Sequence, residues 1–109
     1  MTEERKKPEM EYRYLGKTGL KVSVLSFGNM VSNIQADSQN LMNESVKHCL
    51  EYGINFFDTA ELYGFGEAEI LLGNAFKELN IPREKIVVST KLYFAPGGFK
   101  TLAEHFGYY

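Results

Sequence analysis

Thiol and imidazole chemistry is scarce in this sequence: one cysteine, Cys49, and two histidines, His48 and His105, are its whole supply. A lone cysteine excludes an internal disulfide and suits a reducing, cytoplasmic setting. With so few soft ligands, and no regular spacing among them, no metal site is expected. Long apolar runs are missing too, so no segment reaches the length that spans a bilayer. Nor does either charge dominate: twelve basic and fourteen acidic residues give a net charge of −2. That balance carries no signature of nucleic-acid or anionic-membrane binding. The opening MTEERKKPEM has neither the apolar core of a signal peptide nor the acid-poor composition of a transit peptide. It reads as a flexible leader, residues 1–9, ahead of a single domain over 10–109.

What the sequence does contain is globular. Apolar residues make up 44% and aromatics 14%, too much buriable surface for a disordered chain. Tyr12-Arg13-Tyr14-Leu15 and Leu20-Lys21-Val22 flank a turn bracketed by Gly16 and Gly19, which predicts a β-hairpin. Three short apolar runs follow: Val24–Phe27, Ile54–Phe57 and Ile86–Ser89. They recur about every thirty residues, the length of a strand–helix unit. None alternates cleanly between polar and apolar, as expected of parallel strands covered on both faces.

The intervening segments predict helices. From Asp37 or Ser38, candidate N-caps, apolar or small residues fall at Met42, Val46, Cys49 and Leu50, and Gly53 suits a left-handed helix end. Ala68, Leu71, Leu72, Ala75, Phe76 and Leu79 keep helical spacing, with Glu67 and Glu69 where the helix dipole favours acids. Pro82 prevents continuation. The order is therefore a hairpin and then β-α-β-α-β, an α/β chain with a parallel sheet. An open doubly wound sheet and a (β/α)₈ barrel both accommodate it. In a sheet this incomplete, the faces of Leu25, Phe56, Phe57 and Val87 are expected to lack partners. One helical turn is expected around Thr101–Phe106.

Polar residues gather where the predicted strands end. Asp58 follows the second, Thr90 and Lys91 follow the third, and Tyr63 lies on the loop after Asp58. In parallel α/β folds ligands bind at that edge. A lysine held by an aspartate stays charged, and a cation beside a phenol favours its ionised form, so the phenol is fit to act as a general acid toward a carbonyl oxygen. Each residue alone has a plainer reading. Asp58 suits a helix cap, Tyr63 a half-buried aromatic, and Lys91 a solvated charge. Gly64-Phe65-Gly66 precedes a helix, where backbone N–H groups can cradle phosphate. With neither G-x-G-x-x-G nor a P-loop, it reads as a helix start. His48 and Cys49 read as helix flank and core.

The segments YRYLGKTGLKVSVLSFG, EYGINFFDTAELYGFGEAEILLG and IVVSTKLYF together resemble the opening of an aldo-keto reductase, over roughly Met10 to Gly98. The GLKVS opening and the aromatic and glycine residues after STK resemble the potassium-channel β-subunit branch. The resemblance implies the N-terminal portion of a (β/α)₈ barrel, plugged by the hairpin and incomplete in this chain. It implies NADP(H) bound across the strand ends, a catalytic set at Asp58, Tyr63 and Lys91, and cofactor contacts from Gly28, Asn29, Met30, Asp58 and Lys91. The branch would place a Thr–Trp pair where Asn29 and Met30 stand, and FKTLAEHFGYY, after Gly98, departs from the family pattern. A barrel of this kind takes about 250 residues, so the resemblance implies a truncated chain, inactive by itself. The intact protein would reduce small aldehydes or ketones. Alternatively it would regulate a membrane channel, with bound NADP as a redox sensor and four copies in the assembly.

Overall fold

A computed structural model describes residues 5–30 and 34–92. The hairpin forms as β1 (Tyr12–Tyr14) and β2 (Lys21–Ser23), antiparallel, with Arg13 opposite Val22. Three further strands, β3 (Phe27–Gly28), β4 (Phe56–Asp58) and β5 (Val87–Ser89), form a parallel sheet in the order β3-β4-β5. Helices α1 (Ser38–Glu51) and α2 (Glu67–Glu78) make the two crossovers. The expected turn at Thr101–Phe106 lies outside the described residues.

The helices end by the same device. At α1, Gly53 takes φ +82° and its N–H donates to the Leu50 carbonyl, while Ile54 N–H donates to Cys49. This paired pattern satisfies carbonyls that the helix leaves open. At α2, Asn80 takes φ +52°, with Asn80 N–H on Lys77 and Ile81 N–H on Phe76. Asparagine tolerates the left-handed region, so α2 is stopped by Asn80, two residues before Pro82, rather than by the proline. At the start of α1, Asp37 holds the cap position without a bond from its carboxylate, and the Ser38 hydroxyl accepts the Gln35 N–H instead.

Both helices pack on one face of the parallel sheet. Met42 and Val46 of α1 and Leu71, Leu72 and Ala75 of α2 close over Phe57 and Ile86, all buried. Phe57 meets Phe27 and Phe76 edge-on, with centroids 6.1 and 5.1 Å away, the geometry that the ring quadrupole favours. Phe57 thus has its partners, contrary to expectation. Its neighbour Phe56 points to the other face, as period two requires, and is only half buried. Consecutive strands lie side by side with both crossovers on one face. Continued in the same sense, that arrangement builds a barrel wall.

The first apolar run is not a strand as expected. Only Phe27 of Val24–Phe27 joins the ladder, and Leu25 is 60% exposed. The chain bends after Ser23, whose hydroxyl donates to the Leu25 carbonyl at 2.6 Å, so the apolar residues before Phe27 are spent turning from hairpin to sheet. Asn55, in the middle of an apolar run, clasps this bend. Its Oδ1 accepts the Ser23 N–H at 2.7 Å, its Nδ2 donates to the Lys21 carbonyl at 3.1 Å, and its own N–H donates to Ser23 Oγ. Met10 and Tyr12 press on Gly53, where an added Cβ would lie 2.9 Å from the Met10 Cβ. The hairpin is thereby tied to both α1 and β4.

Replacing Asn55 with leucine keeps the bulk and removes the clasp, stranding the Ser23 N–H beneath the bend. An unmet buried donor costs about 1–3 kcal/mol. A lower urea midpoint at unchanged slope, equivalent to a stability loss of that size, is expected, and an unchanged midpoint would show that the clasp is dispensable.

Candidate functional site

Parallel register builds the site. Gly28 pairs with Asp58, and Asp58 with Ser89, in one row across the C-terminal ends of β3, β4 and β5. Phe27, Phe57 and Val88, one residue earlier, face the helices. The row therefore faces the other side.

Within that row Asp58 is fully engaged. Lys91 Nζ donates to Oδ2 at 2.9 Å and Oδ1 at 3.0 Å, and Ser89 Oγ donates to Oδ1 at 2.5 Å. The Ser89 hydroxyl and then Lys91 favour the charged carboxylate, holding Asp58 below its ordinary pKa despite some desolvation. Lys91 is pushed the other way, above its usual value, chiefly by the Asp58 hydrogen bond, with Tyr63 adding in the same direction. A third acceptor, the Thr59 carbonyl, lies 3.0 Å from Nζ. The ammonium's three donors thus face three oxygens, which fixes it in place.

Tyr63 comes to this ammonium from the β4–α2 loop. Nζ sits 5.1 Å from the centre of the Tyr63 ring, within cation–π range. A 3₁₀ turn over Tyr63–Gly66 carries the tyrosine, with positive φ at Gly64 (58°), Phe65 (56°) and Gly66 (96°). Left-handed geometry is costly at a phenylalanine, and strain of this kind concentrates at functional sites. Backbone bonds hold the loop, among them Tyr63 N–H to the Ala60 carbonyl, Phe65 N–H to that of Leu62, and Glu61 N–H to that of Lys91.

The sequence-derived trio of Asp58, Tyr63 and Lys91 is therefore brought together. Gly28 lies in the same row, and an added Cβ there would meet nothing within 4 Å, leaving open floor beside the carboxylate. Met30 is 76% exposed at the same edge. Asn29 is buried on the helix side, its Nδ2 donating to the Ala68 carbonyl of α2 at 2.8 Å, while its Oδ1 has no partner among the described residues. Thr59 is likewise buried, with its hydroxyl unpartnered.

Gly64-Phe65-Gly66 leads into α2, with Gly66 at the cap position. Cys49 packs against the core, where burial pushes its thiol pKa up. His48 lies on the outer face between Glu44 and Glu51. Sequence reasoning missed Ser89 and the Thr59 carbonyl, because only the strand register reveals their place. A largely apolar depression, lined by Met10, Leu25, Cys49, Tyr52 and Ile54 together with Glu9, Glu11 and His48, opens at the opposite end of the strands. Among the described residues no acidic, histidine or cysteine cluster suits a metal, and no helix is long and apolar enough to cross a membrane.

Comparison with known proteins gives a consistent result. The sequence pattern of the Aldo/keto reductase family matches residues 24–105. That stretch runs past Gly98, where the sequence reading ended the resemblance. The chain is 43% identical over 89 residues to a "Probable voltage-gated potassium channel subunit beta" of Arabidopsis thaliana, covering 82% of this chain and 27% of that protein. It is 42% identical over 91 residues to an uncharacterised oxidoreductase of Bacillus subtilis, covering 77% of this chain and 27% of that protein. Among solved structures, the holo form of an aldo-keto reductase from Bacillus halodurans superposes with a TM-score of 0.68 at 35% identity, covering 82% of this chain and 28% of that one. The chain thus spans just over a quarter of the length of the relatives it matches. The described residues form an open three-stranded segment of such a barrel, without closure.

The shifted groups predict a two-sided pH dependence of stability. Asp58 titrates lower when folded, so its contribution is present above the unfolded value of about 3.9 and is lost as pH falls through the folded one. Lys91 titrates higher when folded, so its contribution is present below about 10.4 and is lost as pH rises through the folded value. The stability difference between wild type and Asp58→Asn, from urea melts, should be flat near neutrality and shrink at both extremes. A difference constant down to about pH 3, well below the ordinary aspartate value, would show that the pair is not linked to folding.

Proposed function

The chain belongs to the aldo/keto reductase family, and from that premise we propose that it forms part of an NADP(H)-dependent oxidoreductase that reduces small aldehydes or ketones. One observation carries the reading: a lysine gripped by both oxygens of a strand-end aspartate lies against the ring of a tyrosine. A nicotinamide cofactor bound along this edge would supply a hydride to the carbonyl carbon. The residues present suit such a group, since the bare row position at Gly28 leaves room for a flat ring beside Asp58. Gly28 and Met30 would line that ring, and Asn29 would support it from behind. The holo relative of Bacillus halodurans supports cofactor use by this fold.

The proton is the chain's own contribution. As the carbonyl oxygen gains charge, the Tyr63 phenol donates its proton, and Lys91 stabilises the phenolate left behind. Asp58 keeps that lysine charged and turned toward the ring. A donor positioned in this way stabilises charge that exists only in the transition state, which is what raises kcat.

The identity to plant channel β-subunit relatives supports a second reading. The complete protein would then be cytoplasmic and tetrameric, associate with a membrane channel, and use the same site as a redox sensor. Slow turnover suits that role, because the bound cofactor would then persist long enough to report its state.

In the full-length protein, Tyr63→Phe should lower kcat toward a reactive nitrobenzaldehyde by about 10²–10⁴-fold, the range of general acid catalysis. NADPH affinity should stay nearly unchanged, since the ring remains. Lys91→Met should lose a comparable factor and Asp58→Asn less. A Tyr63→Phe enzyme retaining more than about a tenth of wild-type kcat would fall well short of that range and rule out Tyr63 as the proton donor.

A further inference from the structure

We propose that Ser89 is a positioning residue for this chemistry: its hydroxyl locks the Asp58 carboxylate in the orientation that presents both oxygens to Lys91. The proposal rests on the reductase reading for its consequence and on geometry for its substance. Asp58 and Ser89 are register partners on adjacent parallel strands, so their side chains leave the same face side by side. The Ser89 Oγ lies 2.5 Å from Asp58 Oδ1, the shortest contact the carboxylate makes.

A carboxylate at a strand end needs such an anchor. Its terminal torsion is broad and nearly two-fold, and the Asp58 side chain is 36% exposed. Lys91 reaches the carboxylate on a flexible four-carbon stem, which by itself imposes little direction on the carboxylate plane. The serine hydroxyl, on a strand held by its ladder, fixes Oδ1 to the scaffold. Oδ2 is then set, and with it the Nζ position between Asp58, the Thr59 carbonyl and the Tyr63 ring. The register partner on the other side, Gly28, carries no side chain, so Ser89 is the only neighbour in this row able to anchor the carboxylate.

Among the described residues, the charged and titratable groups around the carboxylate are few. Lys91 lies at the end of β5 and Tyr63 on the loop before α2. On α2, Glu69 is taken by the Thr90 hydroxyl at 3.3 Å, and the β3 residues Phe27 and Gly28 are uncharged. Removing the serine therefore leaves Lys91 as the carboxylate's one hydrogen-bonding partner among the described residues. The loss of Ser89 reads out directly at Asp58.

The test uses the full-length protein. Ser89→Ala should move the Asp58 carboxyl titration, followed by its ¹³C resonance, up toward the ordinary aspartate range. It should also lower kcat by about three- to tenfold, the worth of one hydrogen bond, and shift the acid limb of the pH–rate profile upward, with NADPH affinity unchanged. Ser89→Thr keeps the hydroxyl, suits a strand, and should restore all three. An Asp58 titration unmoved by Ser89→Ala would overturn the proposal, as would a kcat loss that threonine does not rescue. Tyr63→Phe in the same assay separates the two readings. If it retains activity, the acid-catalysis reading falls, while the Asp58 titration still decides the role of Ser89.

Discussion

Register between β4 and β5 is the constraint from which the rest follows. Setting Phe57 opposite Val88 places one residue pair under the helices and, by the period of two, places Asp58 beside Ser89 on the other face. Slipping that pairing by a single residue would turn the carboxylate into the apolar layer and a phenylalanine toward the strand-end cleft. The packing of Phe57 between Phe27 and Phe76 makes such a slip expensive. Core and site are thus two readings of one pairing.

The same economy governs the approach of Tyr63. Asp58 and Lys91 are placed by strands, but Tyr63 is placed by a loop, which needs other restraints. Those restraints are the strained turn at Gly64–Gly66, the Glu61–Lys91 backbone bond, and the Asn29 amide on the first turn of α2. Asn29 thereby links β3 to the helix that follows the tyrosine loop. Of that buried amide, Nδ2 is met by the Ala68 carbonyl while Oδ1 has no partner among the described residues.

One face of the sheet is built and the other is open. Helices α1 and α2 bury Val46, Phe57 and Leu72 completely or nearly so, while Phe56 and Val87 remain half exposed. In relatives of this family the same segment is just over a quarter of the protein. The open face and the strand-end cleft correspond to the inner wall and mouth of the barrel in those relatives, the position from which catalytic residues act in that architecture.

Much of this was legible from residue order. Helical spacing from Ala68 to Leu79 fixed α2, and the hairpin, the Gly53 helix end, and the trio Asp58, Tyr63 and Lys91 followed from turn chemistry and strand-end placement. Such features are local, or repeat at a period that a sequence displays. The exact path from hairpin to sheet was not legible, because Val24-Leu25 looks like any buried strand until Asn55, some thirty residues on, is seen to clasp Ser23. Nor could sequence show that Ser89 anchors Asp58, that Asn29 turns to the helix side, or that Asn80 rather than Pro82 ends α2. Residue types and local periods determined the elements and named the polar groups at the strand ends. Which of those groups touch depends on register and on contacts between distant segments, and only the folded chain decides them.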